Sequence, residues 1–296
     1  MALYERNMDN LIQKIEQIPT IPIVSQRVME ISGDDEAPFK DFVAIIEKDQ
    51  SLASKILRVA NSAFYGFSSR VSSLEHALVI LGINEVKSIA LGCSLYNFFS
   101  HSESDASERT RFWKHAIICS QVAKLLGIHF NTRNGDSLFL AGLIHDIGKL
   151  VLDQYFHEEF LQILEYVSLT KTTFSKAEKK MLGTTHCQIA AKLLKQWRFP
   201  EEVIIQVLYH HGPWHDKNHR ANSTMIYLAN VLTKLAGYPS HPEEKQIDLH
   251  EFANSSEVDF ITKTGFDLDY ERIKRLISNI QEYILMEDDN VMRLFD

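Results

Sequence analysis

The segment Ala141–Leu150 reads Ala-Gly-Leu-Ile-His-Asp-Ile-Gly-Lys-Leu and places two ionisable residues, His145 and Asp146, inside an apolar run. Burying an imidazole and a carboxylate costs free energy unless the groups are paired or bind a metal ion. Apolar residues recur at helical spacing on both sides, so the pattern predicts one helix from Ser137 to Leu152. The segment therefore indicates a helical core that holds a polar site.

Helical periodicity also dominates the rest of the chain. The 296 residues include only 12 glycines and 7 prolines, and no strand-turn-strand rhythm is present. We predict an all-α fold with a smaller N-terminal helical bundle at 1–104, a helical core at 105–236 and an acidic helical extension at 237–296. The polar segment His101–Thr110 is the predicted linker. Further helices are predicted at Phe112–Leu126, Phe156–Ser168, Ala177–Met181, Thr185–Trp197, Pro200–His211, Ser223–Leu235 and Arg272–Met286.

The composition is that of a globular protein. Apolar residues make up 45% and charged residues 24% of the chain, which argues against a disordered or collagen-like protein. No run of about 18 apolar residues predicts a membrane span, and the charged first ten residues do not resemble a secretory signal. Cys93, Cys119 and Cys187 are odd in number and lie in apolar helical patterns, so they predict buried thiols in a reducing cytoplasm.

The net charge of −8 is concentrated near the C-terminal end. Residues 243–296 hold 14 acidic and 6 basic residues, and the remainder is balanced. An acidic chain disfavours nucleic acid as a partner, because phosphate contacts need clustered lysine and arginine. The segment Lys55–Ser88 has only four basic residues and no dense stripe of them. The acidic end is either a docking surface or a solvated helical end.

Histidine is the informative residue type. Five of the 13 histidines fall at predicted helix sites inside or beside apolar runs: His115, His145, His186, His210 and His211. Neutral imidazole and carboxylate are ligands that suit Fe, Mn, Zn or Ni, and the helices of a bundle can bring them to one central site. Each residue alone has an ordinary explanation, such as a hydrogen-bonded pair or a cation at a helix C-terminus. Together with Asp146 they predict a site for one or two divalent metal ions.

Several motifs connect the chain to known families. Ala141–Leu150 resembles the signature of the HD superfamily of metal-dependent phosphohydrolases, and the N-terminal half resembles the HDOD domain, a bacterial signalling relative of that superfamily. The HDOD-like motifs are Ile18–Pro22 (IPTIP), Ile45–Ala53 (IIEKDQSLA), Leu57–Gly66 (LRVANSAFYG), Ile80–Gly82, Phe112–His115 (FWKH) and Trp197–Pro200 (WRFP). The resemblance covers residues 10–235, and on it the chain is identified as a member of the HDOD family.

The resemblance implies an HD-type multi-helix bundle and a set of site residues. By comparison with the related HD-GYP phosphodiesterases, the metal ligands are His115, His145, Asp146, His186, His210 and His211. Lys149 resembles a lysine that those enzymes place near the substrate phosphate. Asp146 and Lys149 are therefore the expected catalytic residues if the protein is an enzyme.

The chain departs from the HD-GYP pattern in two places. Asn230 stands where the last ligand, an aspartate, is expected, and the Gly-Tyr-Pro motif is absent after His211. An amide oxygen is neutral and is a weaker ligand than a carboxylate oxygen. Asn230 is therefore a candidate ligand with which a metal-bound water would have a different pKa. Glu178, eight residues before His186, either orients that imidazole or is a solvated helix charge.

Two classes of function follow from the resemblance. Most HDOD proteins have no established catalytic activity, so we expect a cytoplasmic bacterial signal-transduction protein with a retained metal site. It would act mainly by binding a signalling protein or a phosphate-containing small molecule. The alternative is a metal-dependent phosphohydrolase or phosphodiesterase acting on a nucleotide or cyclic dinucleotide, with Asp146 bridging two metals and Lys149 as a point charge on phosphate.

Two apolar features carry predictions about packing. Ala60, Ala63, Phe64 and Tyr65 either seat the N-terminal bundle on the second bundle or form a docking surface. A final helix carries a stripe of Ile273, Leu276, Ile277, Ile280 and Ile284. We expect this stripe to pack on its own chain, whereas an exposed stripe would indicate a dimer.

Overall fold

The described part of the chain is built from α-helices. The computed structural model describes residues 15, 17–21, 26–28, 39–62, 67, 69–99, 106–132 and 135–287, and none of these residues lies in a strand. The all-α prediction is confirmed, and no described helix is long and apolar enough to cross a membrane. The helices are α1 Phe39–Ile46, α2 Gln50–Ala60, α3 Leu74–Leu81, α4 Ile83–Phe98, α5 Ala106–His129, α6 Gly135–Ile144, α7 Ile147–Tyr155, α8 His157–Thr170, α9 Phe174–Met181, α10 His186–Gln196, α11 Glu201–Tyr209, α12 Arg220–Leu235, α13 Leu249–Ala253, α14 Ser256–Lys263 and α15 Tyr270–Glu287.

Contacts within the chain divide it into two compact units. The larger unit comprises Met1–Pro19 and His101–Gln281, and the smaller comprises Thr20–Ser100 and Glu282–Asp296. The predicted three-part division, with boundaries after residues 104 and 236, stays a prediction.

The smaller unit contains α1 to α4. Side chains at the helix starts satisfy free backbone N–H groups, as where Asp49 accepts from Leu52 N at the start of α2. Gly82 separates α3 from α4 at φ +82°, a left-handed value that favours glycine, and it caps the C-terminal end of α3. Asn61 exchanges two 2.8 Å hydrogen bonds with the backbone of Val71, which fixes the segment after α2. The predicted packing of Ala63, Phe64 and Tyr65 lies outside the described residues.

The larger unit is organised around α5, which packs along α6 and α12. The single helix predicted for Ser137–Leu152 is wrong, because the chain turns at His145 and Asp146 between α6 and α7. Asp146 precedes α7 with φ −97° and ψ 7°, and its carboxylate does not cap that helix. The carboxylate instead accepts from Lys149 and lies beside His186 and His210, so its contacts with distant residues outweigh helical continuity.

Other predicted boundaries shift by a few residues. The predicted linker His101–Thr110 is partly wrong, since Ala106 already begins α5, while residues 101–105 lie outside the described part. Helices α13 and α14 were not predicted, because both are short. In α15 the stripe is buried as expected at Ile273, Ile277, Ile280 and Ile284, whereas Leu276 is partly exposed.

Candidate metal centre

The five predicted histidines and Asp146 come together inside the larger unit. His115 lies in the middle of α5, His145 and Asp146 form the turn between α6 and α7, and His186 begins α10. His210 and His211 follow the end of α11, where Gly212 N bonds back to Tyr209 O and closes the turn. All of these side chains are buried except that of His211, which is partly exposed.

Four of the imidazoles are anchored through Nδ1. Each Nδ1–H group donates a hydrogen bond to an oxygen acceptor. This bond fixes the orientation of the ring and leaves Nε2 as the possible ligand atom. The acceptors are the backbone oxygens of Tyr238, Gly142 and Val207 for His115, His145 and His210, each at 2.7 Å, and Glu178 Oε2 for His186 at 2.6 Å. The four Nε2 atoms are therefore the ring atoms left available as metal ligands.

The Nε2 atoms face one another at short distances. His115 Nε2 lies 3.3 Å from His145 Nε2, and His186 Nε2 lies 3.3 Å from His210 Nε2 and 3.2 Å from His211 Nε2. Two lone pairs cannot hydrogen-bond to each other, so each facing pair needs either a proton or a metal ion between its nitrogens. The donor set thus falls into two groups, one around His115 and His145 and one around His186.

The carboxylate of Asp146 lies between the two groups. Its Oδ2 accepts from Lys149 Nζ at 2.7 Å and lies 3.5 Å from His145 Nε2. Its Oδ1 lies 3.2 Å from His186 Nε2 and 3.4 Å from His210 Nε2, yet it has no hydrogen-bond partner. A buried carboxylate oxygen without a hydrogen bond, surrounded by nitrogen lone pairs, fits a metal ligand.

The electrostatics differ across the donor set, because burial alone would lower the pKa values of His186 and His210, but the neighbouring Cys187 outweighs it and raises them. Burial lowers the pKa of His115 to about 4 and holds the pKa values of His145 and His211 well below the usual range. Burial alone would raise the pKa of Asp146, but Lys149 and His145 outweigh it and hold the pKa well below its usual range. Neutral imidazoles and an ionised carboxylate are the states that bind a divalent cation.

Glu178 is a buried positioning group rather than a solvated helix charge. Its side chain is 0% exposed, and Oε2 accepts from both Nδ1 and the backbone N–H of His186, at 2.6 and 3.0 Å. Burial raises the pKa of this carboxyl group. The alternative of a solvated charge beside Lys179 and Lys180 is therefore wrong, and Glu178 orients the His186 ring as the other alternative predicted.

Lys149 is occupied by acceptors from its own chain. Its Nζ donates to Asp146 Oδ2 at 2.7 Å, Ser240 Oγ at 2.9 Å and Glu244 Oε1 at 2.6 Å. An ammonium has three N–H donors, so all of them are used. Burial would lower the pKa of Lys149, but Asp146 and Glu244 outweigh it and raise the pKa. The structure thus places Lys149 beside Asp146, but without a free donor for phosphate.

Asn230 lies in the wall of a cavity next to the histidines. The cavity has a volume of about 530 Å³, and His211, Lys149 and Lys234 also line it. The Asn230 side chain is buried, and its Oδ1 has no hydrogen-bond partner. Its role as a ligand stays a prediction.

Sequence reasoning missed four contributors to this site. Cys187 Sγ lies 3.5 Å from His186 Nε2, and its position next to a predicted ligand in the sequence was a signal. Tyr238, Ser240 and Glu244 come from the segment that follows α12, where no apolar periodicity or motif indicated a contact with the site.

The site is thus a buried histidine–aspartate cluster within an all-α fold. The model of the HDOD domain matches residues 18–213, and the chain belongs to the HDOD family. It spans less than half the length of the curated relatives it matches.

Three solved structures share the fold. An HDOD domain protein of unknown function from Geobacter sulfurreducens aligns with a TM-score of 0.80 and 23% identity, covering 96% of this chain and 97% of that one. A proposed signal transduction protein from Marinobacter aquaeolei gives 0.74 and 24%, covering 99% and 65%. A proposed metal-dependent phosphohydrolase from Shewanella amazonensis gives 0.66 and 22%, covering 100% of both chains.

Proposed function

We propose that this protein is an HDOD signalling module that holds one or two divalent metal ions and acts by binding a signalling protein or a phosphate-containing small molecule. The observation that carries the proposal is the set of facing Nε2 lone pairs with the unpartnered Asp146 Oδ1 between them. We place the protein in the cytoplasm, in keeping with its three free, buried cysteines.

The donors divide naturally between two ions. His115 and His145 would hold one ion, and His186, His210 and His211 would hold the other. Asp146 would serve both, because its two oxygens face different groups. A metal ion bound here would supply Lewis acidity and a bound water of lowered pKa. We propose Fe, Mn, Ni or Zn, since Fe, Ni and Zn accept imidazole nitrogen and Mn accepts carboxylate oxygen.

The surroundings of the cluster favour binding over turnover. Lys149, the cation expected to contact phosphate, is neutralised by Asp146 and Glu244. Asn230 provides a neutral amide where a catalytic relative would have a carboxylate, which reduces the negative charge that balances the metals. A module that binds a ligand without hydrolysing it needs neither a free lysine nor the missing carboxylate.

Phosphohydrolase activity is the second candidate. It is favoured by the position of Asp146 between two donor groups, which suits a two-metal site. The neighbouring cavity of about 530 Å³ also falls within the size range of small-molecule sites.

Calorimetric titration of the metal-loaded protein with nucleotides and cyclic dinucleotides, followed by product analysis, separates the two candidates. Metal-dependent binding heat without product formation is the expected result for a ligand-binding module. Product formation that depends on metal would establish the phosphohydrolase instead. If neither binding nor product is seen, the proposal that the protein binds a phosphate-containing small molecule is contradicted. Only the proposal that it binds a signalling protein then remains.

A further inference from the structure

Cys187 lies at the edge of the His186 donor group. It is the second residue of α10, is buried, and has its Sγ 3.5 Å from His186 Nε2. The donor atoms of His186, Cys187, His210 and His211 all lie within 4.8 Å of one another. Cys93 and Cys119 are equally buried but belong to no such group among the described residues.

The separations within this group match those around one tetrahedral zinc ion. With Zn–N bonds of about 2.05 Å and a Zn–S bond of about 2.3 Å, tetrahedral angles set nitrogens about 3.3 Å apart and a nitrogen about 3.6 Å from the sulfur. His186 Nε2 lies 3.3 Å from His210 Nε2, 3.2 Å from His211 Nε2 and 3.5 Å from Cys187 Sγ. All three distances measured from His186 therefore agree with the tetrahedral geometry.

A thiol hydrogen bond is the competing explanation for the Cys187 contact. An S–H group can donate to His186 Nε2, but one proton serves only one lone pair. His210 Nε2, His211 Nε2 and the unpartnered Asp146 Oδ1 face the same nitrogen and would remain unsatisfied. A cation shared by the three imidazoles and the Cys187 thiolate would satisfy the nitrogens at once, and the Asp146 carboxylate would balance its charge.

We propose that Cys187 is a metal ligand and that this half of the centre is a zinc-type site of three imidazoles and one thiolate. The inference rests on the proposed metal centre and adds a ligand to it. Thiolate selects zinc over manganese or magnesium, which prefer oxygen ligands. The half with His115, His145 and Asp146 has no sulfur ligand, so the two halves differ in metal preference.

Cobalt titration of the full-length chain, after removal of bound metal with a chelator, tests the assignment. Bound Co²⁺ is expected to give a sulfur-to-cobalt charge-transfer band that is lost in Cys187→Ser and kept in the matched control Cys93→Ser. Cobalt binding without that band in the wild-type protein would overturn the Cys187 ligand and leave the metal centre standing. An absence of cobalt binding would overturn both.

X-ray absorption of the unmodified zinc-loaded protein gives a second readout that needs no variant. A sulfur scatterer at about 2.3 Å from zinc is expected, besides nitrogen at about 2.0–2.1 Å. A first shell of nitrogen and oxygen alone would overturn the proposal even if Cys187→Ser fails to fold.

Discussion

Four of the five proposed ligand histidines are oriented by the oxygen atom that accepts a hydrogen bond from Nδ1. For His186 that atom is Glu178 Oε2, which also accepts from the His186 backbone N–H. For His115, His145 and His210 it is a backbone oxygen, which no substitution of a side chain removes. Glu178 is therefore the residue at which ligand orientation can be tested by mutation.

We expect Glu178→Gln to weaken metal binding about 10- to 100-fold, because loss of a carboxylate that orients a ligand imidazole has effects of this size. Competition with a chromophoric chelator measures the affinity. Glu165→Gln, at an exposed position on α8, is the matched control and should leave affinity unchanged. Equal affinities in the two variants would contradict the positioning role.

At the scale of elements, the close approach of α7 to α10 keeps Asp146 beside His186. Gly148 faces the backbone of His186, and an added Cβ would overlap that backbone. Gly127 in α5 is a useful comparison, because a Cβ there would meet side chains alone, the end of Leu138 and the hydroxyl of Thr132. A side-chain end can rotate away, whereas a helix backbone cannot shift without moving the donors.

We therefore expect Gly148→Ala to destabilise the protein by about 1–3 kcal/mol, the usual cost of overpacking, and to lower its metal content. Gly127→Ala, which gains the same helix propensity, should have the smaller effect. Urea unfolding and metal analysis of both variants measure the difference. A Gly148→Ala protein with full stability and full metal content would refute the close-packing argument.

The segment after α12 contributes a buried ion-pair network to the site. Glu244 Oε1 lies 2.6 Å from Lys149 Nζ, and Oε2 lies 2.9 Å from Lys234 Nζ. Burial would raise the pKa of Glu244, but Lys149 and Lys234 outweigh it and lower the pKa below its usual value. Its contribution to stability is therefore complete above the unfolded-state pKa of about 4.3 and is lost as the pH falls through the folded-state pKa.

We expect Glu244→Gln to reduce the free energy of unfolding at pH 7 by about 3–5 kcal/mol, because it leaves the buried ammonium of Lys149 and the partly exposed ammonium of Lys234 short of a partner. The difference from the wild type should shrink as the pH falls below about 4. Urea unfolding across this pH range measures it, with the partly exposed Glu243→Gln as control. If the difference in the free energy of unfolding between Glu244→Gln and the wild type grew as the pH fell, it would contradict this explanation.

A residue of the site could be predicted from the sequence when it lay inside or beside an apolar run. His145 and Asp146 stood out because they interrupt a helical pattern, and their neighbours implied burial. The turn that His145 and Asp146 form between α6 and α7 was not predictable, because it arises from contacts of Asp146 with distant residues. Glu244 could not be predicted for a related reason, since only the folded chain brings it to Lys149.

At the scale of the whole molecule, the proposed metal centre lies within one of the two compact units. All of its proposed ligands belong to residues 101–281, and the smaller unit supplies none of them. A metal that binds only the folded state stabilises it by mass action, about 4 kcal/mol at a thousandfold excess over Kd. The fold class was predictable at this scale because helical periodicity extends along most of the chain.

Removal of metal with a strong chelator should lower the midpoint of thermal unfolding by about 2–4 °C for each kcal/mol lost. Scanning calorimetry of the full chain, with and without chelator, measures the shift. The double variant His145→Ala/Asp146→Ala is the control and should show little dependence on chelator. An unchanged midpoint in the wild-type protein would contradict a structural contribution from bound metal.

The most direct test of the central claim is elemental analysis of the protein purified without a metal-affinity tag, beside the His145→Ala/Asp146→Ala variant. The cluster geometry predicts one or two equivalents of Fe, Mn, Ni or Zn per chain in the wild-type protein and their loss in the variant. No metal in the wild-type protein, or full stoichiometry retained in the variant, would contradict the assignment of these residues as ligands.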